Sequence, residues 1–174
     1  VTSVVVADRT AMHALGERLA EMLAPGDLVV LAGSLGAGKT TLTQGIGRGL
    51  RVRGEVTSPT FVIARVHPST VGGPALVHVD AYRLGSSLEV DDLDLDASLG
   101  DSVTVVEWGE GKVEGLADDR LLVEVVRPVG DGSSAAQGPA DDEGSPDEPR
   151  TVTLTGIGRR WAGVDLAAAA GAER

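Results

Sequence analysis

An apolar run, Leu28-Val29-Val30-Leu31-Ala32, leads without a break into Gly33-Ser34-Leu35-Gly36-Ala37-Gly38-Lys39-Thr40, and Thr41-Leu42-Thr43-Gln44-Gly45-Ile46 follows with helical character. The octet obeys G-x-x-x-x-G-K-[ST], the pattern of a phosphate-binding loop, and its context is the one that chemistry requires. A buried strand delivers the chain to a turn from which a helix opens. Glycines at 33, 36 and 38 permit backbone conformations that a side chain would crowd, so successive N–H groups can face phosphate oxygens. The helix start adds unpaired donors and a partial positive charge. Gly33, Ser34, Leu35, Gly36, Ala37, Gly38, Lys39, Thr40 and Thr41 are therefore expected to line a nucleoside triphosphate. Lys39 is expected to reach the β- and γ-phosphates, and the Thr40 hydroxyl to ligate magnesium.

Composition limits the alternatives. A chain of 174 residues suits one domain with one core. Hydrophobic residues make up 42% but aromatics only 2%, so Val, Leu, Ala and Ile must fill that core. Zero cysteines exclude disulfides, thiolate metal sites and cysteine nucleophiles, and fit a reducing cytosol. The segment Val1-Thr2-Ser3-Val4-Val5-Val6-Ala7-Asp8 lacks the basic region and long apolar core of a signal peptide. No stretch approaches the roughly 18 apolar residues of a membrane span, so a cytoplasmic protein with no membrane partner is expected. A net charge of −11 argues against a surface that grips nucleic acid by neutralising phosphates. Any contact with RNA is expected to run through a partner.

Six of the acids fall in residues 128–149, which hold no Lys or Arg and almost no large apolar side chain. Such a segment cannot offset the entropy of ordering and reads as a disordered insertion, a solvated spacer rather than a functional tail. It separates Leu121–Val126 from Thr151–Thr155, two stretches rich in strand formers that are expected to neighbour each other in one sheet. Elsewhere strand and helix alternate. Val4–Val6 reads as a strand, and residues 10–23 as a helix with Leu15, Leu19, Met22 and Leu23 on one face. Phe61–Val66, Ala75–Val79 and Val103–Val106 read as further strands, the first two joined through the turn Gly72-Gly73-Pro74. The expected fold is α/β, a mostly parallel sheet flanked by helices with antiparallel additions where strands follow short turns.

Hydrolysis requires a second carboxylate at the metal and a group that orients water. Two acids stand where apolar runs stop: Glu107 closes Val103-Thr104-Val105-Val106, and Asp80 closes Leu76-Val77-His78-Val79. In a doubly wound sheet, strand ends face the ligand crevice. Two acids there repel unless a cation lies between them, a charge magnesium would supply.

Beside the loop the chain carries Thr57-Ser58-Pro59-Thr60-Phe61, then His78-Val79-Asp80-Ala81-Tyr82-Arg83, then Val106-Glu107-Trp108-Gly109-Glu110. In this order and spacing the motifs resemble the TsaE (YjeE) family, small bacterial P-loop ATPases of tRNA threonylcarbamoyladenosine synthesis. The resemblance runs from about Val4 to Trp161, apart from the insertion. Three of the four aromatic residues, Phe61, Tyr82 and Trp108, fall inside the motifs, and one of only two lysines is Lys39 of the loop. The resemblance implies a P-loop NTPase-like domain over residues 1–162 with an Ala-rich tail at 163–174. It implies weak ATPase activity with ATP and Mg2+, exercised with two sugar-kinase-fold partners that transfer a threonylcarbamoyl group to the adenosine beside certain anticodons. Hydrolysis would reset or license that complex between rounds, and tRNA would be met only through it. Residue by residue, Lys39 and Thr40 keep their phosphate and magnesium roles, Glu107 looks like the magnesium-associated acid, and Trp108 is its companion. Asp80 looks like the catalytic or water-positioning carboxylate. Ser58-Pro59-Thr60 resembles a switch that senses the γ-phosphate, and Thr10 falls near the adenine.

Two departures stand out. The family usually has Asp or Glu where this loop has Ser34, a position whose side chain does not face phosphate, and the insertion is unusually long. Other residues have plainer readings. His78 shares a strand face with Asp80 and either tunes it or is packed and hydrogen-bonded near the strand end. His13 and His67 are expected at the surface. Arg83 either stabilises transition-state charge or pairs with an acid such as Glu89. Glu89, Asp91, Asp92, Asp94 and Asp96 lack the glycine and bidentate glutamate of a calcium loop, so a solvated helix face or partner surface is expected. Two other function classes fit a phosphate loop: a small-molecule kinase on the same fold, and a nucleotide-gated binding module with negligible hydrolysis. A kinase would want an arginine-bearing lid, which 128–149 cannot be.

Overall fold

The computed structural model describes residues 1–59, 63–82, 100–113, 115, 117–127 and 148–171. Along the chain run β1 (Thr2–Val6), α1 (Arg9–Met22), β2 (Leu28–Ala32), α2 (Lys39–Gly49), β3 (Ala64–His67), β4 (Ala75–Asp80), β5 (Ser102–Glu107), β6 (Arg120–Val126) and β7 (Arg150–Ile157). A 3-10 turn (Arg159–Trp161) and α3 (Leu166–Ala170) complete it. The strands form one sheet in the order β1-β7-β6-β2-β5-β4-β3.

The sheet is mixed rather than mostly parallel. β6, β2, β5 and β4 make a parallel core, with β2 between β6 and β5. The pairings of β1 with β7, β7 with β6 and β3 with β4 are antiparallel. Parallel neighbours need a crossover connection, whereas β3 and β4 are joined through Gly72-Gly73-Pro74 and return directly. Half of the pairings are therefore antiparallel, and the flanking Leu121–Val126 and Thr151–Thr155 stretches do lie side by side.

Burial explains the strand sequences. β2 and β5 are buried at every position because both faces are covered, so they read as continuous apolar runs. On one face Val29, Leu31, Val103 and Val105 join Leu15 and Leu19 of α1, Leu42 and Ile46 of α2, Trp161 and Leu166. On the other, Leu28, Val30, Val77, Val79, Val106 and Val113 form a smaller cluster. β6 alternates buried and more open positions, as a strand with one covered face should.

α1 starts where the Asp8 carboxylate accepts a bond from Ala11 N at 2.8 Å, satisfying one orphan donor of the first turn. It packs on α2 along a glycine seam. A Cβ on Gly16 would lie 2.5 Å from Leu42 O, one on Gly45 2.4 Å from His13 O, and one on Gly49 2.5 Å from Ala20 Cβ. Only glycine admits so close an approach of two backbones. Arg160 fastens the C-terminal turn to the loop before β2, donating from Nε to Asp27 Oδ1 at 3.0 Å and from Nη2 to Asp27 Oδ2 at 2.8 Å. Beyond it, Leu166 and Ala169 of α3 enter the main core.

One histidine departs from expectation. His67 is buried at the end of β3, not at the surface, and its Nε2 has no partner. Burial pushes its pKa below the usual imidazole value, opposed by a hydrogen bond with the Arg53 backbone and reinforced by His78 and Arg65. The neutral form is thus favoured in the fold. Its contribution to stability is complete above the unfolded value near 6.5 and is lost as pH falls through the folded value. The thermal midpoint is expected to fall as pH drops below about 6.5, and His67→Gln to flatten that dependence. An identical pH profile for the variant in thermal unfolding would remove His67 as a source.

Candidate functional site

The carboxyl ends of β2, β5 and β4 meet in one row. Leu31 is in register with Glu107, and Glu107 with Asp80. Trp108 N donates to Leu31 O at 3.1 Å and Ala81 N to Glu107 O at 2.9 Å, continuing the row past the strand ends. This is the edge at which open α/β sheets present ligand crevices, and the glycine loop rises from it.

Gly33 leaves β2 with φ +143°, and a Cβ there would stand 2.4 Å from Val125 O of β6. Gly38 caps α2 in the left-handed region, φ +108°. No other residue type takes both positions without strain. Lys39, the first residue of α2, is fully buried and folds back over the loop. Its Nζ donates to Gly33 O at 3.1 Å and Ser34 O at 2.9 Å and sits 4.0 Å from the centre of the Trp108 ring. A cation at that range over an indole face is attracted by the ring quadrupole. Tyr82 in turn meets the Trp108 ring edge-on at 5.3 Å. Ser34 and Leu35 are exposed at the loop tip, so Ser34 meets Lys39 through its backbone carbonyl. Thr41 is half-buried on the next turn position.

Thr40 Oγ1 donates to Glu107 Oε1 at 3.0 Å and approaches Oε2 at 3.3 Å. His78 Nε2 lies 2.8 Å from the same Glu107 Oε1 and donates to it, while His78 Nδ1 is buried without a partner. The histidine therefore orients Glu107 rather than Asp80. Asp80 is 5% exposed and accepts from Tyr82 N at 2.9 Å. Hydroxyl and carboxylate oxygens side by side at a buried helix start are hard donors, fitting a magnesium ion that keeps most of its shell as water and phosphate. Among the described residues no cluster of three His, Asp or Glu offers a cage of protein ligands alone.

The proposed switch is tied to this edge. Ile63 N donates to Pro59 O at 2.8 Å, and Asp80 N donates to Ile63 O at 2.8 Å. Ile63 holds φ +68° and Trp108 φ +61°, rare backbone for a β-branched and a bulky residue. Left-handed non-glycine residues concentrate where the surrounding structure over-determines them, at ligand clamps and switches. Ser58 is half-buried and Pro59 buried beside them. Thr60, Phe61, Arg83, the acids from Glu89 to Asp96 and residues 128–147 lie outside the described residues.

Thr10 is exposed in the first turn of α1; Met12, two residues on, is the α1 side chain that reaches the loop, its Cε 3.4 Å from where a Gly38 Cβ would be. His13 is half-buried, its Nε2 3.0 Å from Gln44 Oε1 across the glycine seam. Arg150, which motif reading passes over, brings a buried guanidinium to Ala37 O at 2.9 Å. Its one sequence signal is that it is the first base after a long acidic segment, opening a strand.

These elements define a mixed α/β protein whose glycine loop, helix start and buried Thr–Glu–His set share the carboxyl edge of a parallel core. Residues 6–131 match the family described as threonylcarbamoyl adenosine biosynthesis protein TsaE. The tRNA threonylcarbamoyladenosine biosynthesis protein TsaE of Streptomyces coelicolor is 61% identical over 161 residues, covering 92% of this chain and 100% of that relative. Its Bacillus subtilis namesake is 36% identical over 149 residues, 85% of this chain and 81% of the relative. The crystal structure of Bacillus subtilis YdiB aligns with a TM-score of 0.68 at 29% identity, over 98% of this chain and 93% of that one. The chain belongs to the TsaE family.

Proposed function

We propose that this chain binds ATP with Mg2+ on a P-loop NTPase-like fold and hydrolyses it as a component of the complex that adds a threonylcarbamoyl group to the adenosine beside the anticodon. Its partners in this reading are two sugar-kinase-fold proteins, and it meets tRNA through them in the cytoplasm. Among the described residues no helix is long and apolar enough to cross a membrane. The observation that carries the reading is the buried Thr40–Glu107 contact one residue after Lys39, at the start of a helix that opens from a glycine loop. The family membership supports the link to tRNA modification.

In this reading the loop N–H groups and the α2 start receive the phosphates, and Lys39 exchanges its bonds to Gly33 O and Ser34 O for phosphate oxygens. Thr40 and Glu107 hold the magnesium ion, which neutralises charge on the β- and γ-phosphate oxygens when bound. His78 keeps the Glu107 carboxylate turned toward Thr40. Asp80, in register with Glu107 and anchored by Tyr82 N, orients the attacking water. Trp108, with Tyr82 against its edge, covers Lys39 and limits the access of bulk solvent.

ATP turnover is expected to be slow for the lone chain and to rise severalfold with both partner proteins and substrate tRNA. A phosphate-release assay with and without the partners reads this directly. Turnover that stays at background in both mixtures would favour the binding-module reading, and a phosphorylated small molecule as product would favour a kinase.

A further inference from the structure

Arg150 opens β7, buried at 6% exposure, and faces the phosphate loop across 113 residues of chain. Its Nε donates to Ala37 O at 2.9 Å. Its Cδ and Nε also pack on the backbone of Gly38, each 3.6 Å from the position a Cβ would take. Nη1 donates to the Glu148 carbonyl oxygen, which fixes the guanidinium from behind. The Glu148 carboxylate is engaged elsewhere: Arg127 Nη2 bonds it at 2.6 Å and holds its carboxyl below the usual carboxylate range.

The consequence follows from peptide geometry. The Ala37 carbonyl and the Gly38 N–H belong to one planar trans unit and point in opposite directions. β7 and β5 lie on opposite sides of β2, so Arg150 and the Glu107–Trp108 edge approach the loop from opposite sides. A guanidinium that draws the Ala37 carbonyl toward β7 turns the Gly38 N–H away from β7, toward that edge. Without it, the same peptide unit is free to rotate and present a carbonyl, a repulsive group, to a phosphate oxygen. We propose that Arg150 is a positioning residue for the phosphate loop, holding the Ala37 carbonyl so that the Gly38 N–H is aimed at the phosphate chain. The proposal rests on the phosphate-loop reading and adds a residue from the far side of the sheet to it.

The test compares ATP, ADP and AMP by competition against a fluorescent ATP analogue, using the wild-type chain, Lys39→Ala, Arg150→Met and Arg150→Lys. Arg150→Met is expected to lose about 10- to 100-fold in affinity for ATP and ADP, the range of one charge-assisted hydrogen bond, with AMP changed about twofold or less. Arg150→Lys, which keeps the charge and a donor, is expected to recover part of that loss. A folded Arg150→Met with wild-type ATP affinity overturns the proposal, and so does an equal loss for all three nucleotides, which marks general damage. If Arg150→Met does not fold, Arg150→Lys decides. A loss of about three- to tenfold confined to ATP and ADP supports the role, and unchanged or uniformly reduced affinities overturn it. A wild-type chain indistinguishable from Lys39→Ala overturns the phosphate-loop reading itself, and this proposal with it.

Discussion

Lys39→Ala is expected to abolish measurable ATP binding. Lys39 is fully buried, and its ammonium is held over the loop by two carbonyls and the Trp108 face. Removing one partner of a buried charge contact costs about 3–5 kcal/mol, or more than a hundredfold in affinity. The other lysine, Lys112, cannot substitute, because its Nζ donates to Ala81 O at 2.6 Å beyond the end of β4. Titration with a fluorescent ATP analogue, with thermal unfolding to confirm that the variant folds, measures the loss. Wild-type affinity in a folded variant would falsify the phosphate-loop reading.

The second large effect separates binding from chemistry. Asp80→Ala and Glu107→Ala are each expected to lower turnover in the full complex by about 100-fold or more, the scale of a lost positioning or acid–base group. Nucleotide affinity is expected to fall less in either than in Lys39→Ala. The two variants part company over the metal. Glu107→Ala leaves Thr40 Oγ1 and His78 Nε2 without the carboxylate both now bond, so the Mg2+ dependence of nucleotide binding should weaken. Asp80→Ala should leave that dependence intact. Binding titrations over a magnesium series, alongside phosphate release, distinguish them. Wild-type turnover by Asp80→Ala in the complex would exclude its role in orienting water.

The parts of this site that are local in sequence were legible without a structure. Glycines at fixed offsets, Lys39 and Thr40 follow from the loop's own geometry. Glu107 and Asp80 stand out because fully buried strands read as apolar runs, and each run stops at an acid. Contacts across the sheet were less legible. His78 shares a face with Asp80, yet strand register brings its ring to Glu107 on the next strand. Which neighbour a side chain meets depends on pairing that no single strand specifies. The same holds for Arg150, whose partner Ala37 lies on the far side of the chain's long acidic segment. His67 was misread because the β3 pattern is irregular: Arg65 and Val66 are both exposed, and burial returns only at its end. The mixed character of the sheet is a matter of connection rather than of strand composition: β3 returns directly into β4, whereas β1 pairs with β7 from the other end of the chain.

The glycine seam would have a mechanical meaning for the proposed nucleotide cycle. Gly16 and Gly45 bring α1 and α2 into backbone contact, and Gly49 seats the end of α2 on Glu17 and Ala20, leaving little room for side chains to shear or re-pack between them. The helix that bears Lys39 and Thr40 is clamped along its length like a tool in a vice. Under the proposed function, telling ATP from ADP would fall to the opposite jaw, to residues with strained backbone. Those are Ile63, which bonds Pro59 and Asp80, and Trp108, which rests on Lys39. A partner protein that reads the nucleotide state would have little to feel on α1, and everything to feel at the rim formed by Tyr82, Trp108 and the loop tip at Leu35.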